Sequence, residues 1–260
     1  MIPQIPGSRA EPFLVCPDAR HADINLARLQ QLGMVTHEGG RTGVAEDFRI
    51  IKRPLLRGAR GLDSQPIQHG NLIIVTSALP GEGKTYCAIN LAMSMAMERD
   101  TTVLLVDADV ARPAVLNVLG LEPGPGLMDV LLDDERDLSE VILKTNVPAL
   151  SLLPSGRRNK HATELLASRN MSRLLDDIAN RYPDRIVIFD SPPLLITSEA
   201  SVLASQMGQV VVVVEAERTT HSSVREALRL VESCRHVNLV YNKSKPFSCS
   251  DHHYAYYDQG

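Results

Sequence analysis

Residues 71–85, NLIIVTSALPGEGKT, decide how the rest of the chain is read. Residues 71–76 are an apolar run with β-branched Ile73, Ile74, Val75 and Thr76, and the run stops at small and turn-forming residues. That is the pattern of a buried strand entering a tight loop. The loop closes on Gly81, Glu82, Gly83, Lys84 and Thr85, and over 86–98 the apolar residues Ala88, Leu91, Ala92 and Met95 recur at helical spacing. Strand, glycine loop, Lys-Thr and helix follow one another in the order of a phosphate-binding P-loop. Glycines at 81 and 83 let backbone N–H groups approach phosphate oxygens, and the helix start adds partial positive charge. Lys84 can then reach the β and γ phosphates of ATP while the Thr85 hydroxyl ligates magnesium. The expected nucleotide contacts are Pro80, Gly81, Glu82, Gly83, Lys84, Thr85 and Tyr86. Ala78 stands where the usual motif begins with glycine, and Pro80 stiffens the loop while removing one donor.

Working outward, two more apolar strands end in carboxylates. Residues 101–106 lead into Asp107, Ala108 and Asp109, and residues 185–190, RIVIFD, end in Asp190 before Ser191, Pro192 and Pro193. Strands apolar on both sides belong to a parallel sheet covered by helices, and ligands of such sheets sit off the carboxyl ends. Asp107, Asp109 and Asp190 are therefore expected to face the P-loop, with Asp190 held beside Thr85 as a magnesium-linked acid and Asp109 supporting the metal or its waters. Further strands are expected over 149–153, 209–214 and 237–241, and helices over 126–132, 138–143, 163–181 with a break at 168–170, and 222–233. Pro113 suits the first turn of a short helix closing at Gly120. The alternation predicts a doubly wound α/β fold with a mainly parallel sheet and helices on both faces.

The flanks read differently. Residues 1–43 are expected to be an N-terminal arm with a short amphipathic helix capped by Asp23, carrying Ile24, Leu26, Leu29 and Leu32 and ending at Gly33. A second helix starts near 44, and Pro54 limits its regular continuation, so residues 57–68 read as a linker. Residues 44–243 form the P-loop domain, and 244–260 form a tail containing Tyr254, Tyr256 and Tyr257.

Composition sets the outer bounds. A 260-residue chain with 44% hydrophobic and 22% charged residues is ordinary for a globular protein with one core. A net charge of −4 and a pI near 6.1 argue against a nucleic-acid partner. No apolar run approaches a membrane span and the N-terminus carries no signal-peptide core, so the expected compartment is the cytoplasm. Cys16, Cys87, Cys234 and Cys249 are scattered as reduced thiols would be, and Cys249 with His252 and His253 falls short of a metal-ligand set.

The set SALPGEGKT, VLLVDADVARP and IVIFDSPP resembles the bacterial tyrosine kinases, or BY-kinases, over about residues 44–243. The upstream AEDFRIIKRP brings it nearest to the tyrosine autokinases of exopolysaccharide loci, including those associated with exosortase systems. The resemblance implies an ATP-dependent protein-tyrosine autokinase regulating exopolysaccharide synthesis and export. It implies that Lys84 stabilises the transferring phosphoryl group, that Asp107 orients or deprotonates the tyrosine hydroxyl, and that Tyr254, Tyr256 and Tyr257 are phosphoacceptors. It implies adenine contact at Asn242 and homo-oligomer contacts through Glu46, Arg49 and Lys52. It also implies activation by a membrane-spanning polysaccharide co-polymerase, which would bring the chain to the inner face of the plasma membrane. The sequence departs from the family at Ala111, where an arginine is usual. The alternative is a ParA- or MinD-like positioning ATPase with Asp107 orienting water; such ATPases carry a second lysine early in the loop, where this chain has Leu79.

Overall fold

A computed structural model describes residues 20–62, 65–133, 135–182 and 184–245. Its centre is one sheet of strands β1 (His21–Ala22), β2 (Leu72–Ser77), β3 (Thr102–Asp107), β4 (Leu143–Thr145), β5 (Leu150–Leu153), β6 (Arg185–Asp190), β7 (Gln209–Glu215) and β8 (Val237–Asn242). The order is β1-β4-β5-β3-β6-β2-β7-β8, and every neighbouring pair is parallel except β4 with β5. Side chains of β2 alternate between the two faces, as a pleated strand requires. Ile73 and Val75 join a core with α2 (Gly43–Ala59) and α3 (Lys84–Ala96), whereas Leu72 and Ile74 join the opposite core. That second core includes α5 (Leu127–Leu132), α7 (Arg169–Arg181), α8 (Ser198–Ala204) and α9 (His221–Leu230). The expected doubly wound, mainly parallel architecture is the observed one.

Register places the chemistry. Val75 pairs with Asp190 and Asp107 pairs with Asp190 in adjacent strands, so both carboxylates and the start of the P-loop lie at the same edge of the sheet. Helix α3 is buried along residues 87–96, which anchors its N-terminal turn, and hence Lys84 and Thr85, rigidly against β2 and β3.

Several local expectations change. Residues 20–36 dock on the chain's own core: β1 pairs with β4, Leu29 is wholly buried in α1 (Leu26–Gln31), and the Val35 N–H donates to Asn90 Oδ1 at 2.6 Å. The cap of α1 is Asn25, whose side chain accepts from the Arg28 N–H at 2.9 Å, not Asp23. Gly33 does end the segment, with φ of 69°. Helix α2 continues through Pro54 to Ala59, so residues 57–59 are helix and not linker. Pro54 lies on the solvent side, where the carbonyl it leaves free, that of Ile50, can be hydrated. Phe48, Leu55 and Leu56 bury the other side, and Gln209 Nε2 donates to the Leu55 carbonyl at 2.9 Å. Of the helix expected over 138–143 only a 3-10 turn, Leu138–Glu140, forms; Leu143 instead pairs across to Leu152. Ala162–Leu166 (α6) and α7 are two pieces as expected, with Ser168 capping the second through the Met171 N–H. Val115–Leu119 (α4) closes at Gly120, with Pro113 just ahead of it.

Candidate nucleotide and phosphoryl-transfer site

The loop from Ala78 to Gly83 leaves β2 and turns into α3. Gly81 and Gly83 have φ of 86° and 95°, a region that L side chains rarely adopt. A Cβ at Gly83 would also displace the Asn242 side-chain amide, which lies against it. Glu82 is turned inward, 2% exposed: its Oε2 accepts from the Leu79 N–H at 2.6 Å and its Oε1 accepts from the Thr219 hydroxyl. Any contact of Glu82 with a nucleotide is left to its backbone. The Tyr86 hydroxyl donates to the Gly33 carbonyl at 3.0 Å, so that side chain faces the N-terminal segment.

Facing the loop is a shelf of acids. Lys84 Nζ lies 2.9 Å from Asp109 Oδ2, and the Thr85 hydroxyl donates to Asp190 Oδ2 at 2.7 Å. Asp109 Oδ1 accepts from the Arg112 N–H at 3.0 Å. Asp107 Oδ2 accepts from the N–H groups of Ala114 and Val115, both at 3.0 Å. The second oxygens of Asp107 and Asp190 are buried and accept from no protein donor. Lys84, Thr85, Asp107, Asp109 and Asp190, each expected from sequence, are thus brought together at one sheet edge.

Electrostatics follow from that burial. Desolvation pushes the Asp190 carboxyl up to about 7, against the pull of Lys84 and the Thr85 hydroxyl. Burial raises Asp107 to about 6, although the Val115, Ala114 and Asp109 amides oppose it, while the Asp109 charge adds to it. For Lys84 burial alone would lower the value, but Asp190, Asp109 and Asp107 together outweigh it and hold the ammonium above its ordinary range. Cys87, behind Thr85, is pushed up to about 12 by burial and by Asp190, so it remains a thiol. The Thr85 hydroxyl and the buried, unpartnered Asp190 oxygen, with Asp109 beside them, make a hard-oxygen set that fits a magnesium ion, and the positive-φ loop fits a polyphosphate.

Other expected residues lie elsewhere or do something else. Asn242 is beside the P-loop, where its Nδ2 donates to the Glu82 carbonyl at 2.8 Å. Glu46 and Arg49 form an exposed pair at 2.9 Å, but Lys52 points inward. It is 3% exposed, donates to the Ser94 carbonyl at 2.5 Å and pairs with Glu98 at 2.8 Å, so here it is engaged within its own chain. Tyr254, Tyr256 and Tyr257, together with residues 1–19, Cys249, His252 and His253, lie outside the described residues. Sequence reading missed Thr219 and Lys243, which also grip the P-loop; the available signal was Glu82, an acid in an anion-binding loop that has to be satisfied by some donor. Among the described residues no three His, Cys, Asp or Glu side chains converge closely enough to hold a metal ion by themselves, and no helix is long and apolar enough to cross a membrane.

The AAA domain family matches residues 70–244, which contain the P-loop, the acid shelf and Asn242. The tyrosine-protein kinase YwqD of Bacillus subtilis is 33% identical over 163 residues, 63% of this chain and 67% of YwqD. The chain belongs to the bacterial tyrosine-protein kinase family. EpsB of Ralstonia nicotianae, provisionally named a tyrosine-protein kinase, is 30% identical over 216 residues, 81% of this chain, and the chain spans 28% of EpsB's own length. The crystal structure of the VpsO kinase domain superposes with a TM-score of 0.66 at 30% identity, covering 77% of this chain and 95% of that domain. A ParA-family ATPase from Chlorobium tepidum is more distant, 20% identical with a TM-score of 0.54, and shares the fold.

Proposed function

We propose that the chain is an ATP-dependent protein-tyrosine autokinase that acts in exopolysaccharide synthesis and export. The observation that carries the reading is Asp107: one oxygen is fixed by the Ala114 and Val115 amides, and the other is buried with no protein donor, on the shelf that also holds Lys84, Thr85 and Asp190. A carboxylate with one oxygen pinned and one free is built to accept a proton along a set direction. In this reading the P-loop amides bind the phosphates of ATP and Lys84 neutralises charge on the transferring group. Thr85 and Asp190, supported by Asp109, hold magnesium, which when bound offsets charge on the β and γ phosphates. Asp107 takes the proton of a tyrosine hydroxyl as its oxygen bonds the γ phosphorus and the bond to ADP breaks. Positioning and charge do the work, because phosphoryl transfer demands little covalent participation from the protein.

The acceptors in this proposal are Tyr254, Tyr256 and Tyr257, and the activator is a membrane-spanning polysaccharide co-polymerase that would hold the chain at the inner face of the plasma membrane. Purified chain incubated with ATP and magnesium is expected to gain phosphate on those tyrosines by mass spectrometry, and Lys84→Ala to gain none. ATP hydrolysis without phosphotyrosine, with the co-polymerase's cytoplasmic segment present, would replace the kinase by a positioning ATPase.

A further inference from the structure

The carboxyl ends of β7 and β8 hold the P-loop by its carbonyls. Asn242 Nδ2 donates to the Glu82 carbonyl at 2.8 Å, and Lys243 Nζ donates to the Gly81 carbonyl at 2.7 Å. Lys243 is itself held at 3.2 Å from Glu215, the last residue of β7, and adopts a left-handed φ of 58° that turns it back over the loop. From the same side Thr219 donates its hydroxyl to the Glu82 side chain and accepts from the Glu215 N–H at 3.2 Å. The other oxygen of Glu82 receives the Leu79 N–H, so the acid staples the loop's beginning to its apex.

Planar trans peptides convert these contacts into an orientation. The Gly81 carbonyl shares its peptide with the Glu82 N–H, and the Glu82 carbonyl shares its peptide with the Gly83 N–H; within each plane carbonyl and N–H point in opposite directions. Pulling both carbonyls towards β8 turns both N–H groups the other way, towards the side from which a phosphate is bound. Asn242 also packs directly on Gly83, so a side chain there would push its amide off the Glu82 carbonyl. We infer that Asn242 and Lys243 are positioning residues that set the Glu82 and Gly83 amides of the phosphate cradle, and that Asn242 acts through the loop and not as a reader of the base. The inference rests on residues 78–85 being the nucleotide-phosphate loop, as proposed above.

The two roles differ in what they discriminate. A base reader changes the preference between ATP and GTP and leaves base-free polyphosphate alone, whereas an amide-setting residue weakens every ligand that uses the cradle. The test measures binding of ATP, GTP and pyrophosphate, each with magnesium, to the full chain by calorimetry, with folding of each variant checked by its cooperative thermal transition. Asn242→Ala is expected to weaken all three by the same factor, between about fivefold and tenfold for the loss of one orienting hydrogen bond, with the ATP to GTP ratio unchanged. Lys243→Met should reproduce the pattern, and Lys243→Arg, which keeps a donor, should restore most of the lost affinity. Because Lys243 is exposed, its pair of variants tests the assignment even where Asn242→Ala unfolds the protein. A loss confined to ATP, or unchanged pyrophosphate binding in both Asn242→Ala and Lys243→Met, overturns the inference while leaving the P-loop reading intact. A wild-type chain that binds none of the three overturns both.

Discussion

Asp107 and Asp129 are both only 2% exposed, yet they are opposites electrostatically: Asp107 lies deep at the carboxyl end of the sheet, whereas Asp129 lies shallowly under the 126–129 and 156–157 turns. Asp129 accepts from the Gly126 N–H at 2.9 Å, the Arg157 N–H at 3.2 Å and Arg157 Nε at 2.6 Å, and its value is held below the usual range even though burial pushes the other way. Asp107 has donors on one oxygen only, and burial wins. A buried acid whose oxygens are all satisfied by its own loops is a brace; a buried acid with an oxygen left over is a cost that the fold carries for some other purpose. The two are equally apolar in their sequence surroundings, so this distinction belongs to the packing.

Substitution of each acid by its amide sharpens the comparison most. Asp107→Asn should leave ATP binding nearly intact and reduce tyrosine phosphorylation by roughly 10²–10⁴-fold, the usual range for loss of a proton acceptor. Asp129→Asn should instead cost about 1–3 kcal/mol of stability, because the backbone donors of the 126–129 and 156–157 turns lose their charged acceptor. Arg157 is more than half exposed, so its ion pair contributes little of that. Phosphorylation per folded molecule, measured after a denaturation curve has fixed the folded fraction, should be unchanged in Asp129→Asn. Equal losses of activity in the two variants would erase the distinction between shelf and brace.

The next effect is in pH. Asp190 and Asp107 have folded values raised to about 7 and 6 from 3.8, so the folded state binds more protons than the unfolded one between those limits. Stability must then fall as pH rises through that window and recover as pH is lowered, the reverse of an ion-paired acid. Glu98, Asp129 and Asp137 are lowered and lose their contributions only as pH falls below the ordinary carboxylate range. The raised Lys84 is fully charged throughout the window. In EDTA the melting temperature should therefore rise by about 4–8 °C between pH 8 and pH 5.5, corresponding to about 2 kcal/mol. Asp190→Asn should flatten the profile, and magnesium with ATP should stabilise more at pH 8 than at pH 5.5, because protons and the ion compete for the same oxygens. A melting temperature that climbs with pH in EDTA would mean that these acids are paired, not stranded.

What sequence could show divides along the same line. The strand ends at Asp107 and Asp190 were legible because an apolar β-branched run must stop somewhere, and an acid at its carboxyl end is conspicuous. The P-loop was legible because glycines at 81 and 83 and Lys-Thr have few other uses at a strand-to-helix turn. The inward turn of Glu82 was not, since its partner Thr219 lies 137 residues away. The docking of residues 20–36 through Ile24, Leu29 and Met34–Thr36 was hidden for a similar reason: the Val35 amide finds its acceptor on Asn90, a polar residue within an otherwise apolar helix. Short pieces such as β4 and α8 carry too few residues for a period to declare itself.

Helix α2 supplies the finest test, because two cations one turn apart have opposite environments. Arg49 is exposed and bonds Glu46 within its own helix, an arrangement worth only a few tenths of a kcal/mol. Lys52 reaches under the helix to the Ser94 carbonyl and to Glu98, whose value it draws down, and so ties α2 to the C-terminal turn of α3. Removing it strands a buried carbonyl and a half-buried acid, at about 1–3 kcal/mol. Lys52→Met should accordingly lower the melting temperature by several degrees at any protein concentration, with no change in oligomeric state by light scattering. Arg49→Ala should leave the melting temperature within about 1 °C. Arg49 and Glu46 are the part of that motif on the surface, beside other exposed residues of α2 such as Ile50 and Arg53. If Arg49→Ala changes neither stability nor the light-scattering mass while Lys52→Met dissociates an assembly, then Lys52 must leave Glu98 to reach another subunit, and the inward geometry is one of two that the helix can adopt.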